Sequence, residues 1–110
     1  MQVKELARAS GRAAAFLKAA AHPARLRMIC ALLDGERVAG ELAGAAGLRA
    51  PALSQQAAVL EAEGIIRRER RARSVYYSLA APHAQQLARL LHEAFCTPPR
   101  KPGRRKAARA

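Results

Sequence analysis

Apolar positions recur every three or four residues through most of this chain and every second residue in one stretch, so the chain predicts helices interrupted by a single hairpin. From Glu5 to Ala21 alanines together with Leu6, Phe16, Leu17 and Lys18 favour a first helix, weakened in its middle by Gly11. The His22-Pro23 step breaks it, because proline disfavours helix in the residue before it and suits the first helical position itself. Leu26, Ile29, Cys30 and Leu33 then fall at i, i+3, i+4 and i+7, a buried stripe of a second helix that stops around Asp34-Gly35 and carries Cys30 within it. Val38 to Ala46 reads as a short third helix, and Gly47 punctuates it before Pro51 opens a fourth that runs to Glu63. After Gly64 the period drops to two. Ile65-Ile66 leads into Arg67-Arg68-Glu69-Arg70, a turn falls at Arg71-Ala72-Arg73, and Val75, Tyr77 and Leu79 share one face of the returning strand. Ala80-Ala81-Pro82 closes the hairpin, and a fifth helix from His83 presents Leu87, Leu90, Leu91, Ala94 and Phe95 before Pro98-Pro99 ends it.

Two short helices joined by a glycine turn spell helix-turn-helix, and a following hairpin makes a wing. The expected fold is therefore mainly α with a β-hairpin wing, in the order helix, helix, helix, helix, strand, strand, helix. Composition sharpens this picture. Of 110 residues 28 are alanine, so the large side chains available to fill a core are few and a second subunit is expected to complete it. Two cysteines exclude a disulfide scaffold, and two Tyr, two Phe and no Trp exclude an aromatic-rich single-strand binder. The longest run of large apolar residues, Met28 to Leu33, is far short of the roughly 20 needed to span a bilayer. With no leader pattern either, a cytoplasmic protein with reduced thiols and no membrane partner is expected.

The formal charge of +12 points to a polyanion. Residues 98–110 form a basic tail, with Arg100, Lys101, Arg104, Arg105, Lys106 and Arg109 among prolines and glycine, which cannot build a core. Residues 1–97 are expected to form the domain, and they remain basic without the tail. In a helix-turn-helix the second helix enters the major groove, so its leading residues should be polar while its other face stays apolar. Leu53, Val59 and Leu60 are available to face inward, and Arg49, Ser54, Gln55 and Gln56 outward. Glutamine pairs bidentately with adenine and arginine with guanine. Arg70, Arg71 and Arg73 at the hairpin tip are placed to reach phosphates or the minor groove.

The runs Phe16-Leu17-Lys18-Ala19, Ala21-His22-Pro23-Ala24-Arg25-Leu26-Arg27, Glu41-Leu42-Ala43, Ala52-Leu53-Ser54-Gln55 and Val75-Tyr76-Tyr77-Ser78-Leu79 together resemble the ArsR/SmtB family of bacterial repressors. The resemblance covers residues 14 to 97 and implies a homodimer joined through the first and fifth helices. It also implies binding to an inverted-repeat operator and release by a chemical inducer. Gln56 stands where the family commonly has His, and Ala72 where a glycine is usual at the wing tip.

Members of this family often sense metals, but Val38 and Gly40 occupy the positions of the thiolate ligands expected on the third helix. His83 and His92 are nine residues apart, which puts them about 180° apart around an ideal helix. No metal and no cofactor is therefore expected. Cys30 and Cys96 stand at positions resembling the sulfide- and persulfide-responsive branch of the family, the BigR, SqrR and YgaV type. That resemblance implies a dithiol which reactive sulfur species convert to a disulfide or polysulfide bridge within one subunit, weakening operator binding. Arg27 one turn before Cys30, and Arg100 and Lys101 after Cys96, are cations expected to favour thiolate. Helical periodicity by itself places Cys96 about 180° from Leu87, off the apolar stripe, so the meeting of the two thiols is implied by the resemblance alone. A repressor sensing a metal, arsenite or an oxidant through the same thiols is the alternative, and a non-sensing architectural or RNA-binding protein a more distant one. No cluster of acid, base and nucleophile argues for catalysis.

Overall fold

The computed structural model describes residues 2–96. Its helices are α1 (Val3–Ala20), α2 (Pro23–Ala31), α3 (Ala39–Ala46), α4 (Ala50–Ala62) and α5 (Pro82–Leu91), with strands β1 (Arg37–Val38), β2 (Ile66–Arg71) and β3 (Ser74–Leu79). A π-helical turn, His92–Cys96, continues α5. The expected order of five helices and a hairpin is present, and β1 is added to it. The expected basic tail, 98–110, lies outside the described residues, as do Arg100 and Lys101.

Local chemistry explains the breaks. His22 caps α2, its Nδ1 accepting the Ala24 N–H at 3.1 Å, and Pro23 at the first turn gives up no hydrogen bond there. Gly47 ends α3 in the left-handed region at φ 71°, which lets the Leu48 N–H reach back to the Ala43 carbonyl at 2.9 Å. That reversal sets α4 against α3 as the second helix of the helix-turn-helix. The third helix begins at Ala39 rather than Val38, because Val38 is extended at φ −73° and ψ 152° and pairs with Tyr76. A β-branched residue beside an exposed strand edge gains more from pairing than from opening a helix.

The sheet has order β1-β3-β2, antiparallel throughout, with Ile66 opposite Leu79 and Arg71 opposite Ser74. Ala72-Arg73 is therefore a two-residue hairpin loop, and Ala72 takes φ 56°. A positive φ at the first loop residue alone is the pattern of a type II′ turn, normally a glycine position.

Met28, Ile29, Leu32, Leu42, Leu60 and Ile65 are fully buried and form the centre of the core, each contributing roughly 1.5–3 kcal/mol of transfer free energy. Alanines 57, 84 and 88 fill the remaining space where helices approach closely. Two expectations are corrected here. Val59 does not face inward: the buried stripe of α4 is Leu53, Ala57 and Leu60, at i, i+4 and i+7, and Val59 points away from it, 37% exposed. Cys30 sits at the edge of the α2 stripe, half-buried, because the buried face centres on Met28, Ile29 and Leu32. Along α1, Val3, Leu6 and Leu17 are exposed, as are Leu90 on α5 and Phe95 beyond it. Among the described residues no helix is long and apolar enough to cross a membrane.

Candidate functional site

Two regions carry chemistry: the outer face of α4 with the wing, and the contact between α2 and the end of α5. On α4 the buried stripe leaves Ser54 and Gln55 exposed, and Arg49 is exposed at the N-cap. Gln56 is half-buried, and its Oε1 accepts the Nη1–H of Arg25 at 2.9 Å. Arginine only donates, so this bond decides which end of the Gln56 amide faces α2. Arg25 was not among the residues the sequence singled out; it lies 31 positions away on another helix, and no local pattern signals the contact.

The three wing arginines divide by role. Arg70 and Arg73 are exposed. Arg71 is held: its Nη2–H donates to Glu36 Oε1, Glu69 lies at 3.6 Å, and its guanidinium sits 4.0 Å from the centre of the Tyr76 ring. The carboxylate of Glu36 also raises the Arg71 pKa, chiefly through that hydrogen bond. Arg71 thus ties the wing to the loop between α2 and β1, and Glu36 is the functional partner that sequence reasoning missed.

Cys30 and Cys96 line one cavity of about 590 Å³, together with Leu26, Arg27, Asp34, Arg37, Leu91, His92 and Phe95. Both thiols are free. Burial pushes the Cys30 thiol above its ordinary range, and Cys96 adds to this through its charge and a thiol–thiol hydrogen bond. Arg27 does not activate Cys30 as expected, because its Nε–H is directed to the Ala46 carbonyl at 2.7 Å and desolvation dominates at the thiol. Arg37 is likewise committed, donating Nε–H to the Ala31 carbonyl at 2.6 Å. Cys96 falls one turn after His92, which lines the same cavity, and the π-helical turn His92–Cys96 leaves both on the side of α2.

His83 packs against Phe16 with the rings tilted by 51° and their centres 5.2 Å apart, whereas His92 lines the thiol cavity, so the two histidines belong to different regions. Among the described residues no group of three or more His, Cys, Asp or Glu is placed to hold a metal ion.

A helix-turn-helix with a polar reading face and a basic wing defines a DNA-binding regulator. Residues 22–68 match the family described as bacterial regulatory protein, arsR family. The chain is 44% identical over 85 residues, 77% of its own length and 73% of the relative's, to the biofilm growth-associated repressor of Agrobacterium fabrum. Its fold is similar to reduced HlyU from Vibrio cholerae, with TM-score 0.81 at 35% identity over 86% of this chain and 100% of that one. It is also similar to the transcriptional repressor BigR from Xylella fastidiosa, with TM-score 0.76 at 35% identity over 89% and 100%. The chain belongs to the ArsR/SmtB family of winged helix-turn-helix regulators, close to its BigR, HlyU and YgaV members, and is a DNA-binding transcriptional regulator rather than an enzyme.

Proposed function

We propose that this repressor senses reactive sulfur species through Cys30 and Cys96, and that a disulfide or polysulfide bridge between them weakens its hold on the operator. The observation that carries the reading is the pair of free thiols facing one cavity between α2 and the turn after α5. A bridge needs the two Cα atoms within roughly 7 Å and no third ligand, which suits a site offering only two thiols. With a persulfide RSSH as oxidant the atoms balance: two thiols and RSSH give the protein disulfide, RSH and hydrogen sulfide. The sulfane sulfur takes up two electrons, and extra sulfur transferred beforehand lengthens the bridge.

The exposed Val3, Leu6, Leu17 and Leu90 support a homodimer joined through α1 and α5, since single-sided apolar faces on two helices otherwise stay in water. Such a dimer binds an inverted-repeat operator, each protomer placing Arg49, Ser54, Gln55 and Gln56 in a major groove and Arg70 and Arg73 along the backbone, with Arg71 anchoring the wing. Cys96 is continuous with α5, so a bridge that moves this helix alters the spacing of the two reading heads. The switch belongs to the cytoplasm, where the resting thiols are reduced.

Intact-mass analysis of reduced protein before and after a persulfide donor, with operator-binding anisotropy on the same samples, tests this. A Cys30–Cys96 bridge accompanied by weaker binding is expected, and Cys30→Ser or Cys96→Ser should keep DNA binding while losing the response. An unchanged mass with unchanged affinity sinks the reading. Loss of affinity with arsenite or a soft metal, and not with the donor, replaces it by ligation through the same thiols.

A further inference from the structure

The two thiols are not equivalent, and their placement divides the work between them. Cys30 is half-buried in the middle of the cavity wall formed by α2, two residues from the buried Met28 and beside the buried Ile29. Cys96 is exposed on the last residue of the π-helical turn, next to Phe95, which is 80% exposed. A donor arriving from solvent meets Cys96 first. We propose that Cys96 is the thiol that captures the sulfane sulfur and that Cys30 is the resolving thiol that closes the bridge. This division of roles rests on the sulfur-sensing reading given above.

The chemistry is a pair of displacements on sulfur. In the first, the Cys96 thiolate attacks the outer sulfur of RS–SH; the Cys96 S–S bond forms, the RS–S bond breaks, and RS⁻ leaves to be protonated as RSH. In the second, the Cys30 thiolate attacks Cys96 Sγ; the Cys30–Cys96 bond forms and HS⁻ leaves, to be protonated as hydrogen sulfide. Two cysteine sulfurs are oxidised and one sulfane sulfur is reduced.

Each step asks something different of its thiol. The first is bimolecular and depends on access, which favours the exposed group. The nearby cations do not reverse this: Arg27 and Arg37 are directed to backbone carbonyls, and burial pushes the Cys30 thiol toward its protonated form. The second step is intramolecular. Proximity offsets a low thiolate fraction there, because the attacking sulfur is held beside its target rather than recruited from solution. A buried resolving thiol is also shielded from reacting with the donor itself, so both cysteines are seldom capped before they meet.

The test compares reduced wild type, Cys30→Ser and Cys96→Ser with glutathione persulfide as donor, quenching by acid and reading intact mass over time. The Cys30→Ser protein should gain one sulfur at the wild-type initial rate and stop there. Cys96→Ser should react at least about tenfold more slowly. Limited alkylation of the reduced wild type with iodoacetamide, followed by peptide mapping, should label Cys96 before Cys30 and needs no substitution. Equal or faster capture by Cys30, or its earlier alkylation, overturns the order while leaving the switch in place. Absence of sulfur transfer to either thiol in the wild type overturns the switch itself.

Discussion

Ala72 stores strain at the tip of the wing, and relieving it should make the protein more stable. The register pairs Arg71 with Ser74 and leaves Ala72 as the first of two loop residues, at φ 56°. In the left-handed region the Cβ of an L-residue crowds the following carbonyl, which costs roughly 1–2 kcal/mol. Ala72→Gly removes that crowding but gives the unfolded chain more freedom, an opposing effect of roughly 0.5–1 kcal/mol. The net expectation is a gain of about 0.5–1 kcal/mol. Ala72→Val puts a branched Cβ into the same conformation and should lose about 1 kcal/mol or more. Urea unfolding followed by far-ultraviolet circular dichroism, at one fixed protein concentration because subunit association adds to stability, reads both changes as shifts in midpoint with an unchanged slope. Hydrogen exchange of the Ser74 to Leu79 amides reports the same difference if the hairpin opens ahead of the rest. A lower midpoint for Ala72→Gly, or a valine variant equal to wild type, would refute the argument that this turn is strained.

Gly47→Ala should lower stability by about 1 kcal/mol in the same assay, since the left-handed cap at φ 71° between α3 and α4 then carries a side chain. Arg70→Ala and Arg73→Ala should each weaken DNA binding across all sequences and reduce the slope of log affinity against log salt by about one. Arg71→Ala should leave that slope unchanged, because Glu36, Glu69 and Tyr76 already hold its guanidinium, and Glu36→Gln should reproduce its effect on affinity. Gln55→Ala should relax base preference at one position of each half-site by about 1–3 kcal/mol, measured by competition between single-base variants of the operator. Closure of the bridge should accelerate as pH rises through and beyond the ordinary thiol range, because the raised pKa of Cys30 keeps it protonated at neutrality. The same shift has a stability consequence of fixed sign: the unfolded thiol ionises first, so the reduced protein loses stability as pH climbs toward the folded-state pKa.

How much of the molecule is legible in its sequence depends on whether a feature is local. The helices, the His22-Pro23 break and the Gly47 reversal are written within a few residues of where they act, and they begin where they were expected, within a residue or two, although α2 ends at Ala31, short of Asp34, and the α-helical part of α5 at Leu91. Period counting erred on α4 because it favoured the larger side chain, Val59, whereas the phase of the helix selected Ala57; in a chain this rich in alanine the small residue is the one that lets helices approach. β1 was missed because two residues carry no periodicity, and it exists only because β3 offers an edge beside it. The contacts of Gln56 with Arg25 and of Arg71 with Glu36 span 31 and 35 residues and are products of packing, invisible to any window. The thiol pair shows the limit most plainly. Counting about 100° per residue from Leu87 sends Cys96 to the far side of the helix, a sound inference so long as α-helical bonding persists. It misleads here because Leu91 and His92, not Leu87, line the cavity; Cys96 lies four residues past His92, and the change to i→i+5 bonding over His92–Cys96 alters the angle further. A phase argument is only as long as the regular helix beneath it, and the last residues before a proline pair are where that regularity is weakest.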